Sequence, residues 1–222
     1  MRLSFLSGPR HVAARILVVA SMLAGGSLVA AAAPTAAATC SAIDVVVARG
    51  TGEPGRLGII VGDPVFRALQ QRLTGLSVSS YPVSYPASLA PGSASQGNAD
   101  LVNHVTSQAA ACSAQRFILV GYSQGANVVD NSIGISSDGA LVGGPIVATI
   151  PASVEPRVAA VLLFGNPIRA QGRSVTGTYA GRTDDFCARG DPVCQPGGLN
   201  ILAHLSYSAD ANAAAAFAAS RV

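Results

Sequence analysis

The stretch RFILV-GYSQG-ANVVDNSI, residues 116–133, constrains this chain more than any other. A continuous apolar run of this kind reads as a strand buried on both faces, as in a parallel sheet. The stretch after it has helical character, so Ser123 sits between Gly121 and Gly125 on a sharp strand-to-helix bend. Such a bend needs small residues at the two glycine positions, because side chains there would collide with flanking backbone. It exposes the serine Oγ and puts the Gln124 amide at a helix N-terminus, where an open N–H and the dipole favour an anion. With 24 Gly and 23 Ser in 222 residues, the pentapeptide alone is expected about 0.3 times by chance, so its weight rests on its surroundings.

Those surroundings alternate. IDVVVARG (43–50) reads as a buried strand, and GDPVFRALQQRL (62–73) as a helix with Asp63 as N-cap and Pro64 at the first helical position. LSVSSYPVSY (76–85) is a more exposed strand interrupted by Pro82, and residues 95–112 are helical by the spacing of Ala99, Val102, Val105 and Ala109. VAAVLLFGN (158–166) is another buried strand, TYAGRTDDF (178–186) a weaker one, and 209–222 a closing helix. Residues 134–157, rich in Gly and Pro, carry no regular pattern and read as a surface loop beside the bend. Strands separated by helices imply a parallel sheet covered on both faces, an α/β sandwich.

The N-terminus has the form of an export signal: Arg2, Arg10 and Arg15 precede a long apolar stretch, and Ala36-Ala37-Ala38 offers a cleavage site. The expectation is a secretory signal over 1–38 and one domain over 39–222; a retained membrane anchor is the alternative. All three of those arginines leave with the signal, so the remaining 11 Arg balance 11 acidic residues and nothing favours nucleic acid as a partner. Four cysteines, Cys40, Cys112, Cys187 and Cys194, suggest two disulfides in an exported chain. Three pairings are open. Cys187 with Cys194 is the local one and leaves Cys40 with Cys112.

A serine hydroxyl becomes a useful nucleophile only when a base takes its proton. After a strand–bend–helix nucleophile the acid and then the base follow in the chain, which passes over His104 and leaves His204. Of the aspartates between Ser123 and His204, Asp130 lies too far along the helix and Asp138 falls in the irregular region. Asp184 and Asp185 are expected to be solvated at an edge or turn. Asp191 lies between Cys187 and Cys194, where a tied loop would hold a carboxylate that must orient the base. Thr51, in ARGTGEP after the first strand, offers a backbone N–H and a hydroxyl as a second oxyanion donor.

Taken together, RGTGE, GYSQG, C-x3-D-x2-C and AH make the chain resemble the cutinase family of serine esterases, which also contains acetylxylan esterases, over nearly all of it from Cys40 onward. The resemblance implies an α/β-hydrolase fold, a three-layer sandwich with a central, mostly parallel five-stranded sheet and no lid domain. It implies Ser123, Asp191 and His204 as triad, Thr51 and Gln124 as oxyanion donors, and the pairs Cys40–Cys112 and Cys187–Cys194. No metal or organic cofactor is implied. The expected substrate is an ester in a lipid, polyester or acetylated polysaccharide, met by a secreted monomer with peripheral contact to a lipid or polymer surface. Leu89, and Leu199, Ile201 and Leu202 beside His204, are the candidate substrate-binding residues for an acyl or alkyl chain, with a place in the core as their alternative. The length and glycine content of 134–157 are similar to the acetylxylan esterase branch, whereas the absence of Trp removes one means of stacking on sugars. Acetylxylan deacetylation is thus the first rival, followed by phospholipase or acyltransferase activity and by a non-catalytic exported binding protein.

Overall fold

The computed structural model describes residues 40–222. The expected signal, its cleavage after Ala38 and the alternative membrane anchor lie outside the described residues. Five strands form one wholly parallel sheet: β1 (Ile43–Ala48), β2 (Val78–Pro82), β3 (Arg116–Tyr122), β4 (Val158–Phe164) and β5 (Thr183–Phe186), in the order β2-β1-β3-β4-β5. The three central strands are buried along almost their whole length, as their unbroken apolar runs require, while β2 and β5 are half-buried edges. Helices α1 (Gly62–Arg72) and α5 (Ala211–Ala219) cover one face, and α2 (Ser93–Ala111) and α3 (Gln124–Ser132) the other.

The chain builds β2 on one side of β1 and then returns to place β3 on the other. Where the direction of winding reverses, the carboxyl ends of neighbouring strands diverge and leave a crevice. The connections after β1 and β3 therefore open onto a common site. Two disulfides fasten the frame: Cys40–Cys112 joins the start of β1 to the end of α2, and Cys187–Cys194 closes a short loop after β5. In the chain-entropy view these constrain the unfolded chain by roughly 4.4 and 2.5 kcal/mol.

Two local expectations need correction, and one element is new. Helix α1 begins at Gly62, so Asp63 lies in its first turn and Val61 occupies the cap; the Asp63 N–H bonds to Gly58 O (2.8 Å), which draws the helix start back into the preceding turn. Residues 177–182 are a 3₁₀ segment, and only Thr183–Phe186 pair as a strand. A short helix, α4 (Ile201–His204), also forms beyond the second disulfide, capped by the Asn200 side chain accepting from Leu202 N–H at 3.1 Å.

Asp185 is not solvated, whereas Asp184 is partly exposed on the edge strand. Asp185 is held by Asn166 Nδ2 (3.3 Å) and faces the Arg169 guanidinium (3.5 Å). Burial pushes Asp185 up to about 6. Asp130, wholly buried on α3, is raised well above the ordinary carboxylate range, first by burial and then by the charge of Asp185; neither of its oxygens has a partner in hydrogen-bond geometry. The unfolded chain sheds these protons near pH 4 while the folded chain keeps them, so stability falls as pH rises from about 4 through 6 and beyond. Asp185 alone accounts for at most ~3 kcal/mol of that fall. Asp130→Asn should therefore raise the melting temperature at pH 8 much more than at pH 4.5; equal effects at both pH values, by calorimetry, would contradict this account.

His104, the histidine passed over above, is tied into the far side of the molecule. Its Nε2 meets Asp44 Oδ2 at 2.7 Å, Asp44 Oδ1 accepts from Ser79 Oγ at 2.7 Å, and the imidazole stacks on Tyr81. This cluster links β1, β2 and α2 and is structural.

Candidate active site

The bend after β3 has the strained geometry that its sequence demands. Ser123 sits at φ 55°, ψ −118°, a left-handed conformation costly for any residue with a Cβ. A Cβ at Gly125 would lie 1.9 Å from Ala48 O, and one at Gly121 would lie 2.6 Å from Gly125 O, so both glycines are needed for α3 to pack onto the ends of β1 and β3. Among the described residues only two other non-glycine residues have positive φ, Ala87 and Val142. Val142 meets the Gln124 side chain, and Ala87 precedes Ser88, which meets it too. The Gln124 side chain donates to Ser88 O (2.8 Å) and Val142 O (3.5 Å) and accepts from Ser93 Oγ (3.1 Å), which pins the 85–92 loop and the 134–150 loop against the bend.

The second of those loops is the irregular segment that carried no sequence pattern. Buried amides hold it in place of regular structure: Asn127 Nδ2 donates to Leu141 O, Asn131 Nδ2 to Gly144 O, and Asn98 Oδ1 accepts from Val147 and Ala148 N–H. It is a surface loop beside the site, as expected, but a fixed one.

Ser123, His204 and Asp191 form a continuous hydrogen-bonded chain. His204 Nε2 lies 2.9 Å from Ser123 Oγ, and Nδ1 lies 2.8 Å from Asp191 Oδ2. Three separate elements supply them: the bend after β3, α4, and the disulfide-closed loop after β5. Asp191 is fully buried, and its Oδ1 accepts from Val193 N–H at 2.8 Å. Around the triad the structure reveals partners that the sequence did not flag. Tyr122 Oη donates to His204 O (2.7 Å) beneath the tilted imidazole, and Tyr207 Oη donates to Asp191 Oδ2 (2.5 Å). Gly165, at the end of β4, leaves room for the Asp–His pair, since a Cβ there would stand 2.8 Å from His204 Cε1. The only sequence cue to any of these is the three-residue spacing of His204 and Tyr207, which places both on one side of a helical turn.

Thr51 follows β1 across the crevice. Its Oγ1 is buried and has no hydrogen-bond partner. The loop that carries it is templated by Glu53, whose carboxylate accepts from Gly50 N–H and Ile60 N–H, both at 2.7 Å, and whose pKa is raised by burial. A buried donor without an acceptor costs free energy unless a ligand completes it. Leu89, Leu199, Ile201 and Leu202 are all exposed, Leu199 at 95%, so none of them belongs to the core.

The model of the cutinase family matches residues 39–222. The chain belongs to the cutinase family. It is a cutinase-like carboxylic ester hydrolase with an α/β-hydrolase fold. A cutinase from Kineococcus radiotolerans is 43% identical over 178 residues, 78% of this chain, which spans 58% of that longer protein. A phospholipase, Culp4, from Mycobacterium tuberculosis is 40% identical and covers 85% of this chain and 82% of its own length. A Trichoderma reesei cutinase, solved in complex with a phosphonate inhibitor, is 34% identical with a TM-score of 0.66, over 81% of this chain and 75% of that one.

Proposed function

We propose that this member of the family cleaves short- to medium-chain acyl esters, or polyesters that present them, through an acyl-enzyme on Ser123. The observation that carries the reading is the unbroken chain from Ser123 Oγ through the His204 imidazole to buried Asp191. His204 Nε2 removes the hydroxyl proton as Ser123 Oγ attacks the ester carbonyl, and Asp191 stabilises the imidazolium. The tetrahedral oxyanion is met by the Gln124 N–H at the start of α3 and by the Thr51 N–H and hydroxyl. The imidazolium then protonates the leaving alcohol, water attacks the acyl-enzyme by the same route in reverse, and the carboxylic acid departs.

The half-exposed nucleophile and the four exposed aliphatic side chains support an alkyl or acyl chain lying at the surface. The exposed aliphatic side chains support peripheral contact with a lipid or polymer surface, and the two disulfides fit the oxidising compartment of a secreted protein. Phospholipid cleavage is the second reading, favoured by the Mycobacterium relative. The test is a chain-length series of p-nitrophenyl esters beside phosphatidylcholine vesicles, polyester film and acetylated xylan, with stoichiometric labelling by an alkyl phosphonate. Labelling of Ser123 with a rate optimum among the short- to medium-chain esters is expected. A folded protein that takes up no phosphonate would overturn the reading; xylan as the best substrate would replace its substrate class.

Thr51→Val keeps the side-chain volume and removes only the hydroxyl. It should lower kcat about 10²-fold with KM little changed, because the donor meets an oxygen that becomes charged only in the transition state. An unchanged kcat would leave the amide as Thr51's sole contribution.

A further inference from the structure

We infer that Tyr207 is a positioning residue for the reaction, holding the Asp191 carboxylate in the one orientation that serves His204; this rests on the triad reading above. Tyr207 is fully buried and sits just beyond α4, three residues after His204. Its hydroxyl has two committed partners. It donates to Asp191 Oδ2 at 2.5 Å and accepts from Ala188 N–H at 3.0 Å. The ring is locked by edge contacts with Tyr122, Phe164 and the His204 imidazole. The phenol is therefore a fixed point that belongs to the sheet and to the disulfide loop at once.

A carboxylate turns about its last bond with little resistance. One oxygen of Asp191 is held by the Val193 amide, which comes from the same disulfide-closed loop and moves with it. The other oxygen is where the loop must be registered against the rest of the molecule, and there the Tyr207 O–H and the His204 N–H share Oδ2. Of these two, His204 is the group whose proton content changes during turnover, so it cannot be the fixed anchor. The Tyr207 phenol can. Burial and the adjacent Asp191 charge raise its pKa far above the ordinary phenol value, so it remains a donor throughout the working range. The charged and titratable groups facing this cluster are Asp191, His204 and Tyr122, with Glu53 acting on Tyr122 from the β1 side.

Tyr207→Phe removes one oxygen and retains the packed ring. We expect kcat to fall about tenfold with KM unchanged, because Tyr207 acts through Asp191 and not on the substrate. The rate of phosphonate labelling should fall by a similar factor. A merely structural loss would lower the melting temperature and the labelled fraction and leave kcat per labelled site intact. Proton NMR supplies a readout that needs no variant: the short O–H···O⁻ bond predicts a slowly exchanging, far-downfield hydroxyl resonance in the wild-type protein. Selective deuteration of tyrosine ring positions, with nuclear Overhauser contacts, assigns it. In Tyr207→Phe that resonance should vanish and the His204 Nδ1–H resonance should move further downfield, its carboxylate oxygen no longer shared. Wild-type kcat per labelled site in Tyr207→Phe, or no such hydroxyl resonance in the wild type, overturns the inference. Loss of labelling in the wild type itself would instead defeat the triad reading.

Discussion

Ser123→Ala and His204→Ala should each lower kcat by about 10⁴-fold or more, with the melting temperature close to that of the unaltered protein. Ser123 Oγ has His204 as its side-chain partner, and an alanine pays the same backbone strain at φ 55° as the serine does, so removing the hydroxyl takes little from the fold. What it takes is the atom that forms the new bond. In the histidine variant the hydroxyl remains but has no base within reach, since the other described histidine, His104, is engaged with Asp44 at the start of β1, the end of the strand away from the bend. The double variant should be no slower than either single one, because the two groups act as a unit. Steady-state kinetics on a p-nitrophenyl butyrate substrate, referred to the folded fraction, checks this. A fall of under tenfold in either variant would show that other residues do the chemistry.

Asp191→Asn should cost about as much, near 10⁴-fold in kcat, although it changes one atom and almost no volume. The Val193 N–H faces one side of the group, so the asparagine must keep its carbonyl oxygen there and turn its NH₂ toward His204. That NH₂ donates to Nδ1 and leaves the imidazole proton on Nε2, pointing at Ser123 Oγ, where a lone pair is needed. The base is present but presents the wrong face. The Tyr207 O–H meanwhile loses its acceptor, so a moderate fall in stability should accompany the loss of rate. An Asp191→Asn variant with more than a tenth of the original kcat would mean that another carboxylate orients the imidazole.

Much of the architecture was legible because it is written in local patterns. The unbroken apolar runs at 43–48, 116–122 and 158–164 became the three central strands, and the glycine pair around Ser123 became the bend. The weaker reading at 178–186 split into a 3₁₀ segment and a four-residue strand, since an edge strand is decided by what it pairs with. Residues 134–157 could not be read, because three buried asparagines from α2 and α3 hold them in shape. Asp185 of β5 was misplaced for a related reason: charge suggests solvent, but one face of this edge strand is covered by neighbouring segments and buries the carboxylate it carries.

The sequence by itself determined the central strands of the sheet and the sharp turn at Ser123, because each depends on backbone sterics or patterning within a few residues, and it named Asp191 and His204 as the candidates that follow. The tertiary structure alone decided that side chains 81 residues apart meet at 2.9 Å, that the Thr51 hydroxyl is left without a partner, and that a phenol shares the carboxylate oxygen on which the imidazole depends. Distance, desolvation and the sharing of a lone pair arise between elements brought together by packing, and no stretch of chain encodes them separately.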